Sequence, residues 1–307
     1  MDIDFIANIL FATIRMGTPL LIVAIGELVC EKSGVLNLGQ EGMMLMGAVA
    51  GFMIAFHTDS LFIGFIGAVT AGALMALLFA IVTMHFYANQ VATGLALTIL
   101  GVGLSGFMGR SYVGEALASV DFQIPLLSSI PFFGKVLFSH DVLVYISIGL
   151  AGAVYWFFKS TRAGLVVKAV GESPESAKSL GLSVLKVRYL AIVFGGAMAG
   201  LAGGYLSLID TPLWAENMTA GRGWIALALV VFASWRVERA VFGAYLFGFM
   251  SIMHLVLQSF GLSVSSNLLA TLPYVATVVV LVLLSRNQQR IKLFAPMSLG
   301  KSFHGAH

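Results

Sequence analysis

Apolar residues run along this chain in long blocks that neither alternate nor leave a polar stripe. From Ala68 to Val82 the block carries a single hydroxyl, Thr70, and no charge. A half-buried strand alternates with a period of two, and a water-facing helix keeps one polar face; a segment apolar all round is a helix buried in protein or lipid. Runs long enough to cross a hydrocarbon core of roughly 30 Å lie near 6–28, 42–57, 61–84, 90–109, 141–158, 188–208, 223–235, 240–258 and 267–284. The pattern predicts an all-α membrane protein, a polytopic helical bundle of about 8–10 transmembrane helices. The second and seventh segments are short, as broken, tilted or re-entrant helices are.

Composition agrees. Of 307 residues, 59% are hydrophobic and 10% charged, with a mean hydropathy of +0.97, whereas soluble domains carry about 25% charged residues. A membrane β-barrel would alternate apolar and polar positions over strands of about ten residues, and these blocks do not. The one cysteine, Cys30, excludes an internal disulfide and a multi-thiolate metal site; a small buried apolar role suits it. The acidic start, Met1-Asp2-Ile3-Asp4, lacks the basic region of a cleavable signal peptide.

The position of the charges says more than the net +3. One set of loops holds thirteen cations: Lys32, Lys159, Arg162, Lys168, Lys178, Lys186, Arg188, Arg236, Arg239, Arg286, Arg290, Lys292 and Lys301. The opposite set holds three, Arg110, Lys135 and Arg222. Positive charge stays on the cytoplasmic side, which puts loop 159–187 and tail 286–307 inside and, for nine spans, the N-terminus outside. The external stretch 110–140, with Pro125 and Pro131, reads as an ordered loop, and nothing resembles a soluble catalytic domain. The chain reads as one domain over 1–307. Gly47/Gly51 and Gly196/Gly200/Gly204 have the spacing that lets helix backbones approach closely in lipid.

Loop 159–187 encodes a short helix. Ser173 is a good N-cap, Pro174 falls at the first helical position, and Gly181 is placed for a left-handed C-terminal cap. Glu175 in the first turn and Lys178 nearer the last both suit the helix dipole. Two turns are too few to be stable alone, so this helix needs a partner.

Two motifs carry a family resemblance over about residues 8–285. Glu175-Ser176-Ala177-x-x-x-Gly181 resembles the E-A-A-x-x-x-G core by which ABC importer permeases dock on their ATPase, with Ser176 in place of Ala. Ser33-Gly34-Val35-x-Asn37-x-Gly39-x-Glu41-Gly42-Met43-Met44 resembles the signature of the ribose/branched-chain amino acid type, in the form of its nucleoside branch; the G-G-I-D-L-S-V-G form of the sugar branch is absent. The resemblance implies a membrane-spanning permease subunit of a bacterial cytoplasmic (inner) membrane, with no catalytic residues and no cofactor of its own. Its partners would be an ABC ATPase that binds the ATP, a second and different permease, and an external substrate-binding lipoprotein or periplasmic protein. Ser173, Pro174, Glu175, Ser176, Ala177, Lys178 and Gly181 would form the docking site.

Charges inside a span cost about 2.5–3.5 kcal/mol on insertion scales and are usually functional or paired. Arg15 and Glu27, twelve residues apart, are about 18 Å apart along a helix and cannot pair; Glu27 fits the cytoplasmic interface. Asn37, Gln40 and Glu41 either brace the start of the second segment or face the solute pathway, with Phe107 as an apolar platform; Trp214 and Trp224 suit a membrane interface at least as well. His85 and His254 are isolated, without metal-ligand spacing. Ala295 to Ser302 matches a relaxed phosphate-loop pattern without the strand before or the helix after it. Gly103-Leu104-Ser105-Gly106 matches an intramembrane serine protease pattern, with His254 as a possible base, but leaves the capped loop unexplained. An ion-gradient-driven secondary transporter would leave it equally unexplained. The scattered basic residues form no nucleic-acid patch.

Overall fold

The computed structural model describes residues 3–118, 130, 132–259, 271, 275, 278–279, 282, 294–301 and 303. Among them the regular secondary structure is helical apart from two isolated bridges, Val113 with Trp214 and Ala116 with Leu213. The helices are α1 (Ile3–Lys32), α2 (Gln40–Thr58), α3 (Leu61–Met84), α4 (Gln90–Gly109), α5 (Phe133–Phe138), α6 (Val142–Ser160), α7 (Arg162–Glu172), α8 (Pro174–Ser179), α9 (Val184–Tyr205), α10 (Arg222–Phe232) and α11 (Val237–Ser259). Seven of these are long and apolar enough to cross a membrane: α1, α2, α3, α4, α6, α9 and α11. The short seventh segment is α10, only 11 residues long. The ninth, 267–284, lies almost wholly outside the described residues, as do Pro125, Pro131, Arg286, Arg290, Lys292 and the side chain of His254.

The three central helices are α1, α2 and α9, with 61–67% of their spanning windows buried against 28% for α4 and α6. α3 lies across α2 and α9, α4 against α2, and α11 along α1. No hydrophobic effect drives helices together in lipid, so close backbone packing must. A Cβ on Gly47 would lie 2.4 Å from the Gly200 carbonyl oxygen, and one on Gly200 would lie 2.2 Å from that of Ala68. The small-residue spacings seen in the sequence therefore mark where α2, α3 and α9 touch.

Four of the predicted cytoplasmic cations, Lys32, Lys159, Lys168 and Arg236, line a single cleft at one end of the bundle. Towards the other end α9 finishes in a π-turn, Leu206–Asp210, where Arg15 pairs with Asp210 at 3.5 Å.

Gly200→Ala is expected to lower the melting temperature of the purified protein by several degrees, because overpacking against backbone costs about 1–3 kcal/mol. Gly149→Ala on α6, where a Cβ meets nothing within 4 Å, should leave it unchanged or slightly raised; equal melting of all three proteins would contradict this packing.

Candidate functional site

Two regions stand out: a platform at the positively charged end and a break in the helical core.

The platform is built on α8. The Ser173 hydroxyl oxygen accepts from the Ser176 N–H at 3.2 Å, and Pro174 opens the helix. At its end Gly181 takes φ +80°, its N–H donating to the Lys178 carbonyl at 2.9 Å while that of Leu182 donates to Ala177 at 3.0 Å. These paired bonds form a Schellman closure. Pro174 and Ala177 face inward, Ala177 into a small cluster with Val170, Val184 and Phe303. Glu175, Ser176, Lys178, Ser179 and Leu180 face outward. The docking residues read from the sequence thus split into a buried pair and an open face.

Three remote segments fasten this platform. Ser298 donates from its hydroxyl to the Gly171 carbonyl at 2.6 Å, and from its N–H to the same oxygen at 3.0 Å. Arg188, wholly buried, donates to the Ser33 carbonyl at 3.2 Å, to Ser298 Oγ at 3.2 Å and to the Lys301 carbonyl at 3.5 Å. Gly171 packs so closely on the end of α1 that a Cβ there would sit 2.1 Å from the Lys32 carbonyl oxygen. The tail around Ser298, which matched a phosphate-loop pattern, is a strap across the platform.

The α1–α2 turn is held from within. Glu27, assigned from the sequence to the interface, is wholly buried because the chain folds back over it. It accepts from the Asn37 N–H at 3.1 Å and from the Gln40 side-chain amide. Asn37 Oδ1 in turn accepts from the Gly39 N–H at 3.0 Å. Glu31 accepts from the Trp235 indole, joining the ends of α1 and α10.

Glu41 reaches furthest. Its Oε1 accepts from the Thr219 hydroxyl at 2.5 Å and the Gly221 N–H at 2.8 Å, and its Oε2 accepts from the Gly223 N–H at 2.6 Å. Gly221, at φ +81°, is the residue before α10, so a carboxylate on α2 caps the start of a helix about 180 residues away. Helix starts carry unpaired N–H groups and partial positive charge, and an anion answers both. Asn37, Gln40 and Glu41 are therefore brought together and bonded within this chain, Gln40 through its amide nitrogen while its amide oxygen is buried without a partner, whereas Phe107 is 80% exposed on α4.

Trp214 is buried against Gly109, and Trp224 is half-exposed. Ser105 is buried, its hydroxyl donated to the Val102 carbonyl at 3.1 Å. Among the described residues no group of three or more His, Cys, Asp or Glu side chains could hold a metal ion. Sequence reasoning missed Arg188, Thr219 and Ser298 as organising residues; Gly221-Arg222-Gly223 at the edge of a short apolar run was the available sign of a helix start inside the bundle.

Glu41→Ala strands three donors and is expected to destabilise the protein more than Glu41→Gln, with Thr219→Val mildest, at about 1–3 kcal/mol for each unsatisfied buried group. Melting curves in detergent test the order, and a Glu41→Gln variant as stable as wild type would refute the cap's importance.

The chain is 38% identical to a protein of Haloferax volcanii provisionally named a glucose ABC transporter permease, over 98% of both chains. It is 32% identical to a guanosine ABC transporter permease of Bacillus subtilis, covering 92% of this chain and 93% of that one. A nucleoside ABC transporter permease of Lactococcus lactis is 29% identical over 87% and 88%. Each of the first two organisms also has a second, more distant permease named for the same solute, 29% and 25% identical. The profile of the branched-chain amino acid transport system permease component matches residues 9–285, and the chain belongs to that family of ABC transporter permeases.

Proposed function

We propose that this permease forms half of a nucleoside pathway in a bacterial cytoplasmic membrane, paired with a second, different permease and supplied by an external binding protein. The chain has a polytopic helical core, and its family works with an ATPase and a solute-binding partner. The pairing is supported by the relatives from Haloferax volcanii and Bacillus subtilis, each accompanied by a second permease named for the same solute. The solute is supported by the guanosine and nucleoside relatives and by the Ser33 to Met44 motif. Glucose is the second reading, favoured by the 38% identity to the Haloferax volcanii protein.

The observation that carries the mechanism is the fastened platform. The open face of α8 (Glu175, Ser176, Ser179, Leu180) receives the ATPase, while Pro174 and Ala177 seat the helix on α7 and α9. Ser173 and Gly181 fix its two ends, and Lys178 lies on the outward side. Movement of the ATPase reaches α1 through Gly171, and α9 through Arg188. Asn37, Gln40 and Glu41 frame the pathway, and Phe107 lies on its open side. ATP is bound and hydrolysed by the partner; this chain supplies the route and the lever.

Uptake of labelled guanosine and glucose by cells carrying the whole transporter tests the reading. Guanosine uptake that orthovanadate abolishes is expected, and uptake of glucose alone would select the second reading. Leu180→Arg on the open face should abolish co-purification of the ATPase while the melting temperature stays within a degree or two; unaltered retention would overturn the docking role of α8.

A further inference from the structure

The segment between α9 and α10 runs from the outer end of the bundle inward to the start of α10, and its depth can be read from its neighbours. Gly42, beside Glu41, packs on Gly101 of α4, where a Cβ on Gly101 would lie 2.5 Å from the Gly42 Cα. Gly101 is eleven residues from the cytoplasmic start of α4 at Gln90, about 16 Å along the helix and so near the middle of a core of roughly 30 Å. The start of α10, bound to Glu41, sits at that depth. Further out, Trp214 packs on Gly109, and Glu216 Oε1 would lie 3.3 Å from a Cβ on Gly106. Glu216 and Asn217 therefore occupy the outer half of the hydrocarbon layer.

Both are exposed, and so are Ala220 beside them and Phe107 of α4. Gly103, one turn along α4 from Phe107, has nothing within 4 Å of where its Cβ would be. A carboxylate facing lipid inside the hydrocarbon layer is costly, by up to about 2.5–3.5 kcal/mol on insertion scales. Water or polar protein around it removes that cost, and it stands beside non-glycine backbone in the left-handed region: φ is +56° at Asn217 and +46° at Ala220. Strained backbone of this kind is kept where the surrounding structure enforces it, and it concentrates at functional sites. A break in a membrane helix at mid-depth is likewise where transporters present polar groups to solute.

We infer that Glu216 and Asn217 line the solute pathway and hydrogen-bond the hydroxyls of a sugar ring, with Phe107 offering a flat apolar face to the same solute. The assignment rests on the permease reading above and names the wall of its pathway. A carboxylate and an amide side by side accept and donate to neighbouring hydroxyls, and an aromatic ring suits the apolar face of a sugar or the plane of a base. Vicinal hydroxyls are common to a ribonucleoside and a hexose, so the two solutes are separated by what each protects.

Cys30 is the one cysteine and is buried, which makes site-directed labelling clean. In the whole transporter in membranes, Asn217→Cys is expected to react with a membrane-impermeant methanethiosulfonate added from outside. Saturating guanosine should slow that reaction about tenfold, the protection given by roughly 90% occupancy; slowing by glucose instead would identify a hexose site. Leu74→Cys, 65% exposed on α3, should stay unlabelled. Glu216→Gln should raise the KM for uptake at least tenfold, with ATPase co-purification and melting temperature unchanged. Failure of Asn217→Cys to label, labelling that neither solute slows, or wild-type uptake kinetics in Glu216→Gln would each overturn the assignment. Absence of vanadate-sensitive uptake in the unmodified transporter would instead remove the permease reading beneath it.

Discussion

A helix that begins halfway through a bilayer has four amide hydrogens without partners and no water to take them. In lipid each such group costs several kcal/mol, so α10 can start where it does only because something within the protein answers its first amides. Glu41 does so with both carboxylate oxygens, on Gly221 and Gly223, and takes the Thr219 hydroxyl as well. The anion that would be costly alone is stabilised by the helix end that would be costly alone. With that cap in place the segment from Thr211 to Gly221 can leave helical geometry and hold polar side chains inside the membrane.

The same economy governs the positively charged end. Glu27 organises the α1–α2 turn, Glu31 ties α1 to Trp235, and Arg188 satisfies acceptors from the turn and the strap. None of these makes an ion pair among the described residues; the partners they have are backbone groups and neutral side chains. Removing any one of these partners is costly, since a buried charge stripped of its partners is strongly unfavourable. The result is a platform under α8 that is tied to two of the three central helices, α1 and α9, by hydrogen bonds and close packing.

How much of this the sequence reveals depends on the range of the interaction. The spans are legible because lipid demands a continuous apolar run, and α8 because Ser173, Pro174 and Gly181 act on neighbours within eight positions. The small-residue contacts are legible as a spacing, although not which helix receives them. Glu41 is visible as an unusual charge, but its partners lie about 180 residues on and have no pattern that points back. Arg188 is indistinguishable in sequence from the other cations flanking the membrane; only its complete burial separates it. Ser298 sits in a stretch whose most obvious feature, a likeness to a phosphate loop, is unrelated to its role.

The strap also bears on when the platform under α8 comes into being. Ser298 joins Gly171 from 127 positions away, and Arg188 joins Ser33 from 155. Contacts so distant along the chain form late, because loop-closure entropy must be overcome before they contribute. During synthesis, α1 to α9 can insert and pack while residue 298 is still on the ribosome, since chains emerge from the N-terminus. The surface on which α8 is braced is therefore completed after most of the bundle has folded, and a chain stalled before the strap would present α8 without the brace beneath it.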